Sequence, residues 1–118
     1  MAIGNDEMYL IYQGFERDIN DVFINFTKKL NFEIDYKSDY RFEMHNSISK
    51  ITILAEVSLS IWIYNSQYSE GILMSQLLYD LDRNLYNQFI SIASGNRNKL
   101  CFISIANFIF DNRELLLG

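Results

Sequence analysis

His45 and Cys101 are the only histidine and cysteine in the 118-residue chain, so a Cys-His nucleophilic pair would have to be built from these two. Their settings argue against it. Cys101 lies in LCFISIANFIF, residues 100–110, where a thiol is a small inert hydrophobe and not an activated nucleophile. A Ser-His-Asp triad would also need His45, and no elbow motif surrounds any serine. The acidic pairs Glu33/Asp35 and Asp80/Asp82 invite a divalent cation. On a strand Glu33 and Asp35 share a face, whereas on a helix Asp80 and Asp82 point apart. The set Glu33, Glu43 and His45 matches no known ligand spacing. No catalytic set, metal site or cofactor is therefore expected, and the chain does not read as an enzyme.

The elements that must carry these residues follow from periodicity. In FERDINDVFINFTKKL, residues 15–30, Phe15, Ile19, Val22, Phe23, Phe26 and Leu30 form one helical stripe, with Lys28 and Lys29 in the last turn. EMYLIYQ, residues 7–13, reads as a short strand ending at Gly14 or as an extra turn or two of the same helix, the strand being favoured. Phe32, Ile34 and Tyr36 alternate with charged residues, then Tyr40, Phe42 and Met44 do the same, which predicts a hairpin turning around Lys37, Ser38 and Asp39. If Tyr36 faces Tyr40, Asp35 meets Arg41 and Glu33 meets Glu43, a like-charge pair.

ITILAEVSLSIWIYN, residues 51–65, is apolar at every odd position from Ile51 to Ile63 and predicts one long strand. At ~3.3 Å per residue it would span roughly 40 Å, so it must coil, bulge or project, bringing Trp62 and Tyr64 to a rim. Residues 69–94 read as a second helix, with Ser69 as N-cap and Gly95 as the stop. Its core face, Leu73, Met74, Leu77, Leu78, Leu81, Leu85 and Phe89, has a further flank of Ile72, Tyr79, Tyr86 and Ile90. That flank either receives the first helix or stands exposed as a tyrosine-rich contact surface. Residues 100–110, apolar on both faces, read as a central buried strand. The predicted class is α+β: one domain over 1–118 in which an antiparallel sheet carries two helices on one face, nearest to a ferredoxin-like arrangement with one added strand.

Bulk composition narrows the function. A net charge of −5 and a pI near 4.7 exclude a phosphate-tracking nucleic-acid binder, which needs clustered Lys and Arg. Hydrophobic content of 49% with 21% charged residues describes a folded chain. No run approaches the ~20 apolar residues of a membrane span. MAIGNDEM lacks the basic flank and apolar run of a signal peptide, which points to the cytoplasm.

What remains is a set of surfaces. Glu33, Asp35, Asp39 and Glu43 form an acidic hairpin able to receive Lys or Arg from a partner, Trp62, Tyr64 and Tyr68 make an aromatic cluster, and Tyr79 and Tyr86 make another. In size, acidity and overall character the chain resembles the immunity proteins of bacterial toxin systems such as contact-dependent growth inhibition. The resemblance implies a stoichiometric inhibitor that blocks the active site of a cognate toxin domain, often a basic nuclease. Two rival readings are a homodimeric regulatory or ligand-binding domain and a small metal-dependent hydrolase using Glu33, Glu43 and His45.

Overall fold

The first of the described helices, α1 (Phe15–Leu30), is the one that the apolar stripe predicts. The computed structural model describes residues 15–38, 40–55, 59–94 and 99–118. Ile19 and Phe23 on α1 are fully buried and Phe26 nearly so. The helix stops at Asn31, whose φ of 57° is the left-handed value that asparagine tolerates. The next residue closes the end: the Phe32 N–H donates to the Thr27 carbonyl at 2.9 Å, and the Phe32 ring packs on Phe26 with centroids 5.7 Å apart. This is a Schellman stop with its accompanying apolar contact.

Four strands and a fragment follow. They are β1 (Glu33–Lys37), β2 (Arg41–His45), β3 (Lys50–Ala55), β4 (Leu59–Tyr64) and β5 (Ile72–Leu73). All neighbours are antiparallel and the strand order is the chain order. Among the described residues the sheet is thus a meander, without the crossover of the expected ferredoxin-like arrangement. The expected strand over residues 7–13 lies outside the described residues.

The single strand expected over 51–65 is instead the hairpin β3–β4, paired from Lys50↔Tyr64 to Ala55↔Leu59. The register pairs odd positions with odd, Ile51 with Ile63 and Ile53 with Ile61, so all four face one side, as they would in one strand. Periodicity could not show the reversal. Folding the segment back also removes the overlong span, since each strand has 6 residues.

The helix expected over 69–94 is also divided. Only β5 and two helices, α2 (Met74–Leu81) and α3 (Arg83–Ala93), are formed there. Asp82 lies between the helices with φ −157° and ψ 105°, and its carboxylate accepts from the N–H groups of Asn84 and Leu85 at 3.0 and 3.2 Å. An aspartate cap of this kind contributes about 1 kcal/mol, which offsets part of the cost of interrupting the helix. The predicted stop at Gly95 lies outside the described residues.

Residues 100–110 are not a strand. They belong to a helix, α4 (Lys99–Asp111), followed by α5 (Arg113–Leu117). Cys101, Phe102, Ile105, Ala106, Phe108 and Ile109 are its buried residues, a spacing of one, four, five, seven and eight that is helical. Leu100 and Ile103, apolar residues on the exposed side of the helix, mask the amphipathic signal, and a 13-residue length should have favoured helix over strand.

One face of the sheet carries the core. Phe42, Ile53 and Ile61 form one apolar row across β2 to β4, and Met44, Ile51 and Ile63 form the next, all 2% exposed or less. α1, α2 and α5 contact the strands, while α4 packs on α1 and α3. The Phe23 ring meets Phe42 at 5.9 Å and Phe26 at 5.2 Å, so α1 lies on this inner side. Two asparagine turns tie the sheet to helix ends. Asn46 Oδ1 accepts from the Ile48 and Ser49 N–H groups while its Nδ2 donates to Leu30 O, and Asn65 Oδ1 accepts from Gln67 and Tyr68 while its Nδ2 donates to Leu116 O.

Because Phe23 joins α1 to the sheet with no exposure, Phe23→Ala is expected to lower unfolding free energy by about 3–5 kcal/mol. Ile24→Ala, one residue away and 41% exposed, should change it by no more than about 0.5 kcal/mol. Urea denaturation of the two variants checks the contrast.

Candidate functional site

The sheet face opposite the core bears the side chains in question. Alternation sends Arg41, Glu43 and His45 of β2, Lys50, Thr52 and Leu54 of β3, and Ser60, Trp62 and Tyr64 of β4 to the outer side. β1 departs from simple alternation, because its register shifts: Ile34 pairs with Met44 but Tyr36 pairs with Glu43. Asp35 is the extra residue of a β-bulge. The bulge turns Asp35 and Tyr36 outward, toward Glu43 and His45. Glu33 pairs with His45, so the expected Glu33/Glu43 repulsion does not arise.

Two carboxylates on this face, those of Glu43 and Asp35, are paired. Glu43 receives Arg41 Nε at 2.7 Å and Lys50 Nζ at 3.0 Å, and its side chain is only 12% exposed. Asp35 receives His45 Nδ1, which lies 2.8 Å from both carboxylate oxygens. The two cations on Glu43 also cover rings: the Arg41 guanidinium sits 5.7 Å from the Tyr36 centroid and Lys50 Nζ 5.1 Å from that of Tyr64. A continuous belt thus runs Tyr36, Arg41, Glu43, Lys50, Tyr64 across β1 to β4, with Trp62 beside its far end. The belt is held from below as well. Gly71 has φ 90°, and a Cβ there would lie about 2.5 Å from the Tyr64 ring, so glycine is what lets Tyr64 settle against the backbone.

Two polar groups show the cost of this arrangement. Burial alone raises the Glu43 carboxyl, but the hydrogen bond and charge of Lys50, followed by those of Arg41, outweigh it and leave the group below its ordinary value of 4.5. Thr52, between Glu43 and Trp62 in the same row, is 4% exposed and its hydroxyl finds no partner among the described residues. Such a group costs about 1–3 kcal/mol.

The remaining predicted residues lie elsewhere. Tyr68 packs against the core cluster and takes no part in the face. Asp39 lies outside the described residues. Tyr79 and Tyr86 meet edge to face at 5.1 Å at the α2–α3 elbow, where the Arg83 guanidinium stacks 3.4 Å from the Tyr79 centroid. Cys101 is buried in the helical layer, its thiol 3.6 Å from Ile92 O, so the sheet separates it from His45 and the Cys-His pair does not form. Among the described residues no three His, Cys, Asp or Glu side chains are grouped to hold a metal. Sequence reasoning overlooked Tyr36, Arg41 and Lys50 as parts of one surface; the signal for the two cations was a basic residue two positions from Glu43 on the same strand and another that lies diagonally across from it on the next strand, paired with His45.

Comparison with protein-family models, with curated proteins and with solved structures gives no match to this chain. Among the described residues no helix is long and apolar enough to cross a membrane.

Two outcomes follow from the paired carboxylate and the orphan hydroxyl. Since the folded Glu43 carboxyl holds its charge below 4.5, the unfolded chain takes up the proton first, and stability present above that pH is lost as pH falls through the depressed value. In Glu43→Gln this component is absent, so urea midpoints measured at successively lower pH should decline less steeply than in the parent. Thr52→Val, which removes a hydroxyl with no partner, should raise stability by about 1 kcal/mol, read as a higher melting temperature.

Proposed function

We propose that the outer sheet face is a macromolecular recognition surface and that the chain acts by stoichiometric binding. The belt from Tyr36 to Tyr64 carries this reading. Rings of this size supply contact area at low entropic cost, and Tyr, Trp and Arg are the residues that most often dominate interface energy. Their partners are already ordered: Arg41 and Lys50 are fixed by one carboxylate and one ring each, so little side-chain freedom is left to lose on association. The edge is not suited to strand addition, because the bulge at Asp35 and the charges of Glu33, Asp35 and Lys37 interrupt a straight ladder.

In its most specific form the reading is an immunity protein that covers the active site of a cognate toxin domain in the producing cell. Size, a net charge of −5 and a preformed aromatic face support it. Negative charge steers a basic partner toward the surface. With Glu43 and Asp35 engaged internally, Glu33 is the hairpin carboxylate with no ion pair among the described residues. Aromatic anchoring therefore bears more of the contact than acidic mimicry of phosphates.

Expression of the neighbouring reading frames, one at a time, should reveal one product that stops growth unless this protein is present. Against that product Tyr36→Ala, at a position 48% exposed, should cost at least about 2 kcal/mol, roughly thirtyfold in Kd, with the melting temperature unchanged. Titration calorimetry in which both Tyr36→Ala and Glu33→Lys bind like the parent would remove the outer face from the interface.

A further inference from the structure

The groove between α1 and α4 lies in the helical layer, on the other side of the core from the belt. The two helices run side by side in the same direction. Asp21 meets Lys99 at one end, with Nζ 3.5 Å from the carboxylate, and Lys29 meets Phe110 at the other. The groove holds about 320 Å³, within the range of small-molecule sites. Val22, Phe26, Ile103 and Phe110 form its apolar lining, and the amides of Asn25 and Asn107 border it from opposite helices. Ile103 is 39% exposed, a large apolar group facing open space.

Charge at the Phe110 end selects the sign of a ligand. Lys29 Nζ lies 5.1 Å from the Phe110 centroid and the Arg113 guanidinium carbon 4.3 Å from it. Only Lys29 of the two borders the groove, since Arg113 lies outside its lining and donates Nη1 to the Phe110 carbonyl at 2.8 Å; among the described residues Lys29 has no carboxylate within ion-pair distance. In a chain of net charge −5, this is a local positive excess that an anion would relieve. Lys99 at the opposite end is already engaged by Asp21, so the groove is polarised along its length.

We propose that this groove binds a linear amphiphilic monocarboxylate of about ten carbons. Its carboxylate pairs with Lys29 at the Phe110 end. Asn25, one turn before Lys29 on the same face of α1, donates to the second oxygen. The alkyl chain lies on Phe26, Val22 and Ile103 toward the Asp21 end. The size follows from the space: about 320 Å³ is the volume of roughly ten waters, and Asp21 to Lys29 spans about 12 Å of helix. The proposal does not depend on the sheet face or on the partner it meets.

Calorimetric titration with decanoate, below its micelle concentration, should show saturable one-to-one binding, with decanol and decylamine weaker by about tenfold or more. Lys29→Gln should weaken decanoate by about threefold to fivefold. Ile103→Asp, at an exposed position, should abolish binding by placing a like charge on the apolar floor, and unchanged melting temperatures show that both variants fold. No saturable binding of decanoate by the parent, equal binding of decanol, or variants that bind like the parent would each overturn the assignment.

Discussion

The structure depends on one constraint: the sheet must bury two rows of apolar side chains on a single side. Phe42, Ile53 and Ile61, then Met44, Ile51 and Ile63, are removed from water together, and no single helix is wide enough to cover them. The helical layer answers that demand in pieces. α1 covers the β1–β2 side through Phe23, α2 and α5 reach β4, and α4 fills the space above them. Asn46 and Asn65 then fix the two turns to helix ends, so the coverings cannot slide relative to the strands.

One-sided burial leaves the second face to be resolved by polar chemistry. Every outward position on three strands is polar, aromatic or half-buried, and the outcome is mutual covering: Glu43 sinks between two cations, each cation lies on a ring, and Thr52 is closed over without a hydrogen-bond partner among the described residues. A surface selected for stability alone would not retain a buried unpaired hydroxyl or a carboxylate that must be held charged against burial. The arrangement is rigid and already ordered, which is the property that lowers the entropic cost of recognition. That is the physical link between the meander and the binding role proposed for it.

The bulge at Asp35 matters out of proportion to its size. A one-residue shift reassigns the partners of the hairpin, so that Asp35 reaches His45 and Tyr36 comes to lie against Arg41. It also breaks the edge ladder that a second chain could otherwise extend. The same displacement that builds the end of the belt protects the sheet from indiscriminate pairing.

The sequence by itself determined the class, the first helix, the hairpin and the sidedness of the isoleucine-rich segment, because these rest on periods of 3.6 and 2 that survive in local order. It also marked Glu33, Asp35, Glu43, Trp62 and Tyr64, which do share one face. Tertiary structure decided the rest. In this register a hairpin and a strand have the same alternation, so the reversal between Ala55 and Leu59 was invisible; a helix with Leu100 and Ile103 on its exposed side lacks a clean polar stripe, so residues 100–110 looked like a strand. Whether Asp82 continues a helix or caps a new one depends on which backbone N–H groups it finds. The charge pairing of Glu43 and the exclusion of Tyr68 from the face are set by register and turn geometry, which bring together residues that no local period relates.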